Sequence, residues 1–169
     1  MVGFLSRAEL LALTGDSVDR FDWKVRSGNL PTIEIGGRKR GKYTPLEALL
    51  MIIANNLVDA QHLAGTRAVE IASKAGPFVD RSMAKIAKTS EEYDQGVVPK
   101  ADIFFAMVLN PNADGSLPSV IPFCGTFAQL ARKFPSPVQV DLVNVSRCAA
   151  ELRARASLAD IDLQELWKR

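Results

Sequence analysis

The sequence RSGNLP at 26–31, followed by IGGRKR at 35–40, decides how the first half of the chain is interpreted. Gly28 suits the left-handed conformation that ends a helix. Leu30–Ile35 alternates apolar and polar residues, as a half-buried strand does. Gly36–Gly37 supplies the positive φ angles that a two-residue hairpin turn requires. The segment therefore predicts the end of a helix that is joined to a hairpin with a basic tip.

Two short helices are predicted upstream of this segment. Ser6–Glu9 has the form of a capping box, and Gly15 is suited to end the helix that begins there. Ser17 or Asp16 can cap a second helix, which runs to Ser27. The apolar residues at helical spacing predict its buried face, which consists of Val18, Phe21 and Val25. Two short helices with a tight turn between them predict a helix-turn-helix unit.

Further helices are predicted downstream of the basic hairpin. Thr44–Glu47 combines a threonine cap, a proline at the first helical position and a glutamate at the capping-box position. The next helices are expected over 66–75, where Gly76–Pro77 closes the first of them, and over 79–89. The polar residues 90–96 are expected to form a connector.

The composition changes after residue 100. The strongly apolar run 102–109 predicts a buried strand, with 120–123 as its hairpin partner. A helix is predicted over 126–134 and an alternating strand over 138–145. Two final helices are expected, capped by Ser146 and by Ser157.

The predicted fold class is α+β, with a winged helix-turn-helix domain followed by a small α/β domain. The expected boundaries are 1–76 for the winged domain, 77–100 for a helical connector and 101–169 for the α/β domain.

Positive charge is concentrated around the hairpin. Residues 20–43 contain seven basic and two acidic side chains, whereas the chain from Thr44 onward contains thirteen basic and fourteen acidic ones. A local basic region beside a capped helix pair is typical of phosphate binding. No apolar run approaches the roughly 18 to 20 residues that cross a bilayer. We therefore expect a cytoplasmic, nucleoid-associated protein that has no membrane partner.

Three segments together resemble the winged helix-turn-helix of the MerR superfamily, particularly its excisionase-like members. They are LSRAELLALTG at 5–15, RSGNLP at 26–31 and IGGRKR at 35–40, and the resemblance covers about residues 4–58. At 22–25 the sequence DWKV replaces the arginine-aromatic-aromatic-glutamate run of the MerR activators, and no long dimerisation helix follows. The resemblance therefore implies DNA binding but not metal or drug sensing.

The resemblance also implies which residues contact DNA. It places Ser17, Asp19, Arg20, Trp23 and Lys24 on the recognition helix, with Arg26 at its end, and Arg38, Lys39, Arg40 and Lys42 in the wing. Arginine can bond guanine edges bidentately, whereas lysine mainly contacts phosphate. We expect Arg20 and Lys24 to make base or near-base contacts, and the wing arginines to contact the adjacent minor groove or its phosphates.

Two of these residues have equally simple structural interpretations. Trp23 fits a core position beneath the wing as well as it fits a DNA contact, because tryptophan is large and usually mostly buried. Asp19 would repel phosphates, so an orienting or solvent-exposed role is expected more often than base reading.

No catalytic or metal-binding pattern is evident. His62 is the only histidine, and Cys124 and Cys148 lack CxxC spacing. Cys124 precedes a predicted helix whose amide dipoles can lower a thiol pKa, although a buried cysteine that packs as a small apolar residue is the commoner case. We expect no enzyme activity, no cofactor and no metal.

The predicted function is a sequence-specific, double-stranded-DNA-binding transcription regulator, more a repressor than an activator. A homodimer formed through the C-terminal half would cover open strand edges and match a palindromic or pseudopalindromic site. Two alternatives stay open. One is an excisionase-like architectural factor of site-specific recombination, and the other is a regulator that responds to a small molecule or to redox conditions.

Overall fold

The computed structural model describes residues 4–31, 42–99, 101–112 and 116–164, and these residues form an α+β protein. The predicted fold class is confirmed at this level. In chain order the described elements are α1 (Arg7–Thr14), α2 (Val18–Arg26), α3 (Pro45–Gln61), α4 (Gly65–Arg81), α5 (Met83–Asp94), β1 (Phe104–Asn110), β2 (Ser119–Gly125), α6 (Phe127–Lys133), β3 (Gln139–Asn144) and α7 (Val145–Leu158).

Both predicted capping boxes are confirmed. At the start of α1, Ser6 Oγ accepts from the Glu9 amide at 3.2 Å, and the Glu9 carboxylate accepts from the Ser6 amide at 2.7 Å. At the start of α3, Thr44 and Glu47 form the same pair of bonds, at 3.2 and 2.7 Å. Each box satisfies two amides that the first helical turn leaves free.

The predicted buried face of α2 is wrong at two of its three residues. Ser17 caps this helix as expected and Phe21 is buried, but Val18 and Val25 are 55% and 47% exposed. Lys24 is buried in their place. The helix is rotated in this way because the Lys24 ammonium meets an acceptor group in the interior.

The predicted ends of α4 and α5 are also wrong. Pro77 lies inside α4, which continues to Arg81, and α5 extends into the expected connector at 90–96 as far as Asp94. The proline removes one helical hydrogen bond, but it lies on the exposed side of α4. Val79 beyond it is fully buried, so the packing of the last turn holds the helix together.

The three strands form an antiparallel sheet in the order β2-β1-β3. The predicted hairpin is confirmed, with Leu109 opposite Val120 and Phe105 opposite Cys124. Phe105 faces the helices, whereas Val108 faces a smaller cluster that α6 covers. Burial on both faces explains the continuous apolar run of β1.

The start of α7 differs from the prediction by two residues. Asn144, not Ser146, is its cap, and Asn144 Oδ1 accepts from the Arg147 amide at 3.0 Å. Ser146 is buried, and its hydroxyl accepts from the Ile103 amide at 2.9 Å. Ser157 lies inside α7, so it does not cap a new helix. Residues 165–169, where the last predicted helix would end, lie outside the described residues.

One hydrophobic cluster connects the two ends of the chain. It includes Leu10 and Leu13 of α1, Leu49 of α3, Leu152 of α7 and Leu163. The packed core therefore contains residues from both sides of the predicted domain boundaries at 76 and 100. The boundaries themselves stay a prediction. None of the described helices combines the length and the apolar composition that a bilayer-spanning helix needs.

Candidate nucleic-acid interface

The first two helices are joined by a three-residue link. Gly15 ends α1 with a φ of 70°, and its amide donates to the Leu11 carbonyl. Two residues later Ser17 begins α2, where its Oγ accepts from the Arg20 amide at 3.1 Å. Phe21 then buries its ring beneath the pair. The two helices are therefore joined by a short turn that is capped on both sides and lies over a buried aromatic ring.

Backbone hydrogen bonds fix the chain on both sides of the predicted wing, at the C-terminal end of α2 and at Tyr43. Gly28 has a φ of 70°, and the Asn29 amide donates to the Lys24 carbonyl at 2.8 Å. Tyr43 pairs with Leu5 through two backbone hydrogen bonds of 2.7 and 3.1 Å. Its ring meets Phe21 edge to face, with 5.9 Å between the centroids. The exposed Lys42 is thereby held beside the helix pair.

Lys24 lies in a buried polar cluster between α2 and α3. Its Nζ is 2.7 and 2.9 Å from the two carboxylate oxygens of Asp16, and 2.6 Å from Asn55 Oδ1. Burial lowers the pKa of Lys24, and its hydrogen bond with Asp16 opposes that shift. These three acceptors use the hydrogen-bonding capacity of the ammonium.

Arg20 extends the same cluster towards solvent. Its Nε lies 3.2 Å from Asp16 Oδ1, and its Nη2 lies 3.1 Å from Asp59 Oδ1. Asp59 follows Asn55 by one turn of α3. Arg20 and Lys24 together fix the rotation of α2 on α3, because each binds both Asp16 and an α3 side chain.

A different set of side chains forms the outward face of α2. Ser17, Asp19 and Arg26 are exposed, and Trp23 is 53% exposed. Arg26 Nε donates to the Asp22 carbonyl at 3.3 Å, and the residue is exposed to solvent. The Asp22 carboxylate is paired with Arg7 at 2.5 Å.

The structure divides the predicted contact residues into two groups. Arg20 and Lys24 face the interior of the helix pair, whereas Ser17, Asp19, Trp23, Arg26 and Lys42 are on its outside. Arg38, Lys39 and Arg40 fall in 32–41, which lies outside the described residues. Trp23 is 53% exposed, so it does not fill the core position that was one of its two predicted roles, and a DNA contact stays a prediction.

The turn between α1 and α2 also has a partner at the other end of the chain. Arg155 of α7 donates through Nη1 to the Leu13 carbonyl at 3.2 Å, and its Nη2 pairs with Glu151 at 2.6 Å. A Cβ placed on Gly15 would lie 2.8 Å from Arg155 Nη1. A polar cleft of about 170 Å³ opens between Arg155, Glu151, Arg20 and Asp59. The helix pair is thus packed directly against the last described helix.

Sequence reasoning missed the roles of Asp16, Asn55, Asp59 and Arg155. Asn55 and Asp59 are four residues apart, which places both on one side of α3, and this was the available signal. Nothing in the sequence indicates that α2 would meet them, because 31 and 39 positions separate the bonded residues.

Cys124 does not have the features of an activated thiol. Burial raises its pKa, and its Sγ lies 3.6 Å from Ser82 Oγ. The lowered pKa that the redox alternative expects at this cysteine is therefore wrong. In the described ranges, no group of three or more histidine, cysteine, aspartate or glutamate side chains is placed to hold a metal ion.

Comparison of the chain with protein-family models gives no match, and comparison with curated proteins gives none either.

Proposed function

We propose that this protein is a sequence-specific, double-stranded-DNA-binding transcription regulator of the winged helix-turn-helix type. It acts as a homodimer on a palindromic or pseudopalindromic site, more as a repressor than as an activator. The observation that carries the proposal is the α1–α2 pair: a three-residue link, a capped second helix and an outward face with no part in the core.

The contacts support different roles for two groups of residues in α2. Trp23 and Arg26, with Ser17 and Asp19 nearby, form the surface that approaches DNA. Arg20 and Lys24 are positioning residues, because their charged groups are held by Asp16, Asn55 and Asp59. Base contacts by Arg20 and Lys24 are therefore not part of the proposed function.

The basic residues of the predicted wing provide the electrostatic part of the proposal. Arg38, Lys39 and Arg40 follow the helix pair in sequence, and Lys42 is held beside it. Binding through such groups releases counterions from the phosphate backbone, so the affinity falls steeply with salt concentration.

The test is selection of binding sites from a random double-stranded library, followed by anisotropy titrations of the selected site at several salt concentrations. An Arg38→Ala/Arg40→Ala variant should bind more weakly, with the salt slope reduced by about 0.9 for each phosphate that the variant no longer neutralises. Lys85→Ala/Lys88→Ala is the matched control, because it removes the same charge from the exposed side of α5. Failure to select any sequence, or equal slopes for both variants and the wild type, would refute the proposal.

One observation favours the ligand-responsive alternative. A groove of about 620 Å³ lies between α5 and the start of β1, with Val97, Val98 and Ile103 as apolar lining and with Lys85, Lys88 and Glu92 as its charged side chains. Small-molecule sites commonly have volumes of about 300 to 1,000 Å³ and combine apolar walls with a few polar groups. Thermal shift with aliphatic carboxylates, on the wild type and on Lys85→Ala/Lys88→Ala, tests this candidate.

A further inference from the structure

The α5 wall of the groove of about 620 Å³ carries three charged side chains. Lys85, Lys88 and Glu92 follow one another at spacings of three and four residues, so they share one face of the helix. In the part of the chain that the structure describes, their charged groups have no hydrogen-bond or ion-pair partner. Two ammonium groups and one carboxylate are therefore available to a molecule that enters the groove.

The buried residues of the groove use their polar groups within the protein. The Thr89 hydroxyl lies 2.6 Å from Ser146 Oγ, which also accepts from the Ile103 amide at 2.9 Å. The Ile103 carbonyl accepts from two amides at the start of α7. Thr126, at the rim, forms both bonds of the capping box of α6. The charged groups of α5 are therefore the partners that a polar ligand group would meet.

The apolar part of the groove lies towards the end of α5. Val97 and Val98 are 51% and 81% exposed. The Val97 amide donates to the Glu92 carbonyl at 2.8 Å, which holds the valines beside the last turn of the helix. Lys85 lies seven residues before Glu92, or about 10 Å along the helix axis. The groove therefore has a cationic end and an apolar end, and Glu92 borders the apolar end.

We propose that the groove binds a medium-chain aliphatic monocarboxylate, with its carboxylate at Lys85 and Lys88 and its alkyl chain against the two valines. The lysines provide charge complementarity to one anionic group. The chain covers exposed apolar surface, and each methylene that is fully buried strengthens binding about fourfold. A second carboxylate at the far end of the chain would meet the like charge of Glu92. The site therefore selects monocarboxylates over dicarboxylates.

This inference deepens the ligand-responsive candidate, on which it rests, and it is tested without DNA. Isothermal titration calorimetry of the full chain compares octanoate with the neutral octanamide. The wild type should bind octanoate about fivefold more tightly, because two exposed ion pairs contribute. Lys85→Ala/Lys88→Ala should bind the two compounds equally. Lys74→Ala/Arg132→Ala is the matched control, because it removes the same charge from exposed positions outside the groove, and it should behave as the wild type does.

A second pair of variants tests the position of the alkyl chain. Val98→Ser should weaken octanoate binding about threefold, because it removes apolar contact area. Val138→Ser is the control, since Val138 is 61% exposed and lies outside the groove. Equal octanoate affinity of these two variants would overturn the proposed position of the chain.

The role of Glu92 is tested with octanedioate. The wild type should bind this dicarboxylate more weakly than octanoate, and Glu92→Gln should tighten octanedioate binding about threefold, as the removal of one partly exposed like charge allows. The octanoate affinity of Glu92→Gln should stay within about twofold of wild type. Equal octanedioate affinity of Glu92→Gln and wild type would overturn the role of this residue.

The inference as a whole fails if the wild type does not bind octanoate. It also fails if folded Lys85→Ala/Lys88→Ala, checked by circular dichroism, prefers octanoate over octanamide as strongly as the control does. Selection from the DNA library is a separate measurement on the same protein. Octanoate binding without a selected DNA site removes only the DNA-binding role, and a selected site without octanoate binding removes only the carboxylate site.

Discussion

The ammonium of Lys24 lies 2.7 Å from Asp16 Oδ2 inside the protein, where the Asp16 side chain has no solvent exposure. Removing one partner of a buried pair leaves a charge in an environment that solvates it poorly. We expect Lys24→Met to lower the free energy of unfolding by about 2 to 3 kcal/mol, since Arg20 still compensates part of the Asp16 charge. Urea unfolding measures this, and Lys88→Met on the exposed side of α5 should stay within about 0.5 kcal/mol of wild type. Equal stability of the two variants would contradict the role given to Lys24.

The contact between Arg155 and the α1–α2 turn leads to a prediction about two glycines. Gly15 and Gly28 both have a φ of 70°, but only the Cβ of an alanine at 15 would meet Arg155. Gly28→Ala should therefore cost only the left-handed conformation, about 1 kcal/mol. Gly15→Ala should cost about 1 kcal/mol more, because the guanidinium must move away and lose its bond to Leu13. In an Arg155→Ala background, Gly15→Ala should cost no more stability than Gly28→Ala does, and a double-mutant cycle measures this. An unchanged excess would show that Arg155 is not its cause.

Buried Cys148 gives the stability of the protein a defined dependence on pH. Burial raises the pKa of this thiol from 9.0 to about 12. Above pH 9 the unfolded chain releases the proton while the folded protein keeps it, so stability is complete below pH 9 and is lost as the pH rises towards 12. The loss should approach about 1.4 kcal/mol per pH unit in that window. Cys148→Ala has no thiol at this position and lacks this pH-dependent loss. The difference in the free energy of unfolding between the wild type and Cys148→Ala should therefore become smaller above pH 9. Parallel pH curves in urea unfolding would exclude the linkage.

Predictions from the sequence succeeded where the interacting residues are close together in the sequence, and they failed where these residues are far apart in the sequence. The capping boxes at Ser6 and Thr44 need residues three positions apart, so the start of α1 and of α3 could be read directly. The apolar run of β1 was equally local. In contrast, the buried face of α2 depends on Asn55, 31 positions after Lys24. Propensity also failed at Pro77, where burial of Val79 outweighs the bond that the proline removes.

The candidate site shows the same limit. A lysine on a predicted recognition helix suggests a DNA contact when only the sequence is considered, because its charge is visible and its partner is not. The carboxylate of Asp16 lies in the turn before α2, eight positions from Lys24, which is a spacing that no helical rule pairs. The outward position of Trp23 and Arg26 follows only once the inward position of Phe21 and Lys24 is known.

Arg26 and Lys24 therefore provide the sharpest test of the proposed interface, because they lie two positions apart on α2 and point in opposite directions. Arg26→Ala should leave stability within about 0.5 kcal/mol of wild type. It should weaken binding to the selected site and, if Arg26 contacts a phosphate, reduce the salt slope by about 0.9.

Lys24→Met should show the opposite behaviour. It should lower stability, yet at a temperature where the variant is folded its salt slope should equal that of wild type, because the buried ammonium neutralises Asp16 and not a phosphate. If Arg26→Ala keeps the salt slope of the wild type and Lys24→Met has a reduced one, then α2 rotates about its axis on binding and Lys24 contacts the DNA. A comparison of stability and salt slope in the same two variants thus distinguishes a residue that contacts DNA from one that positions the helix.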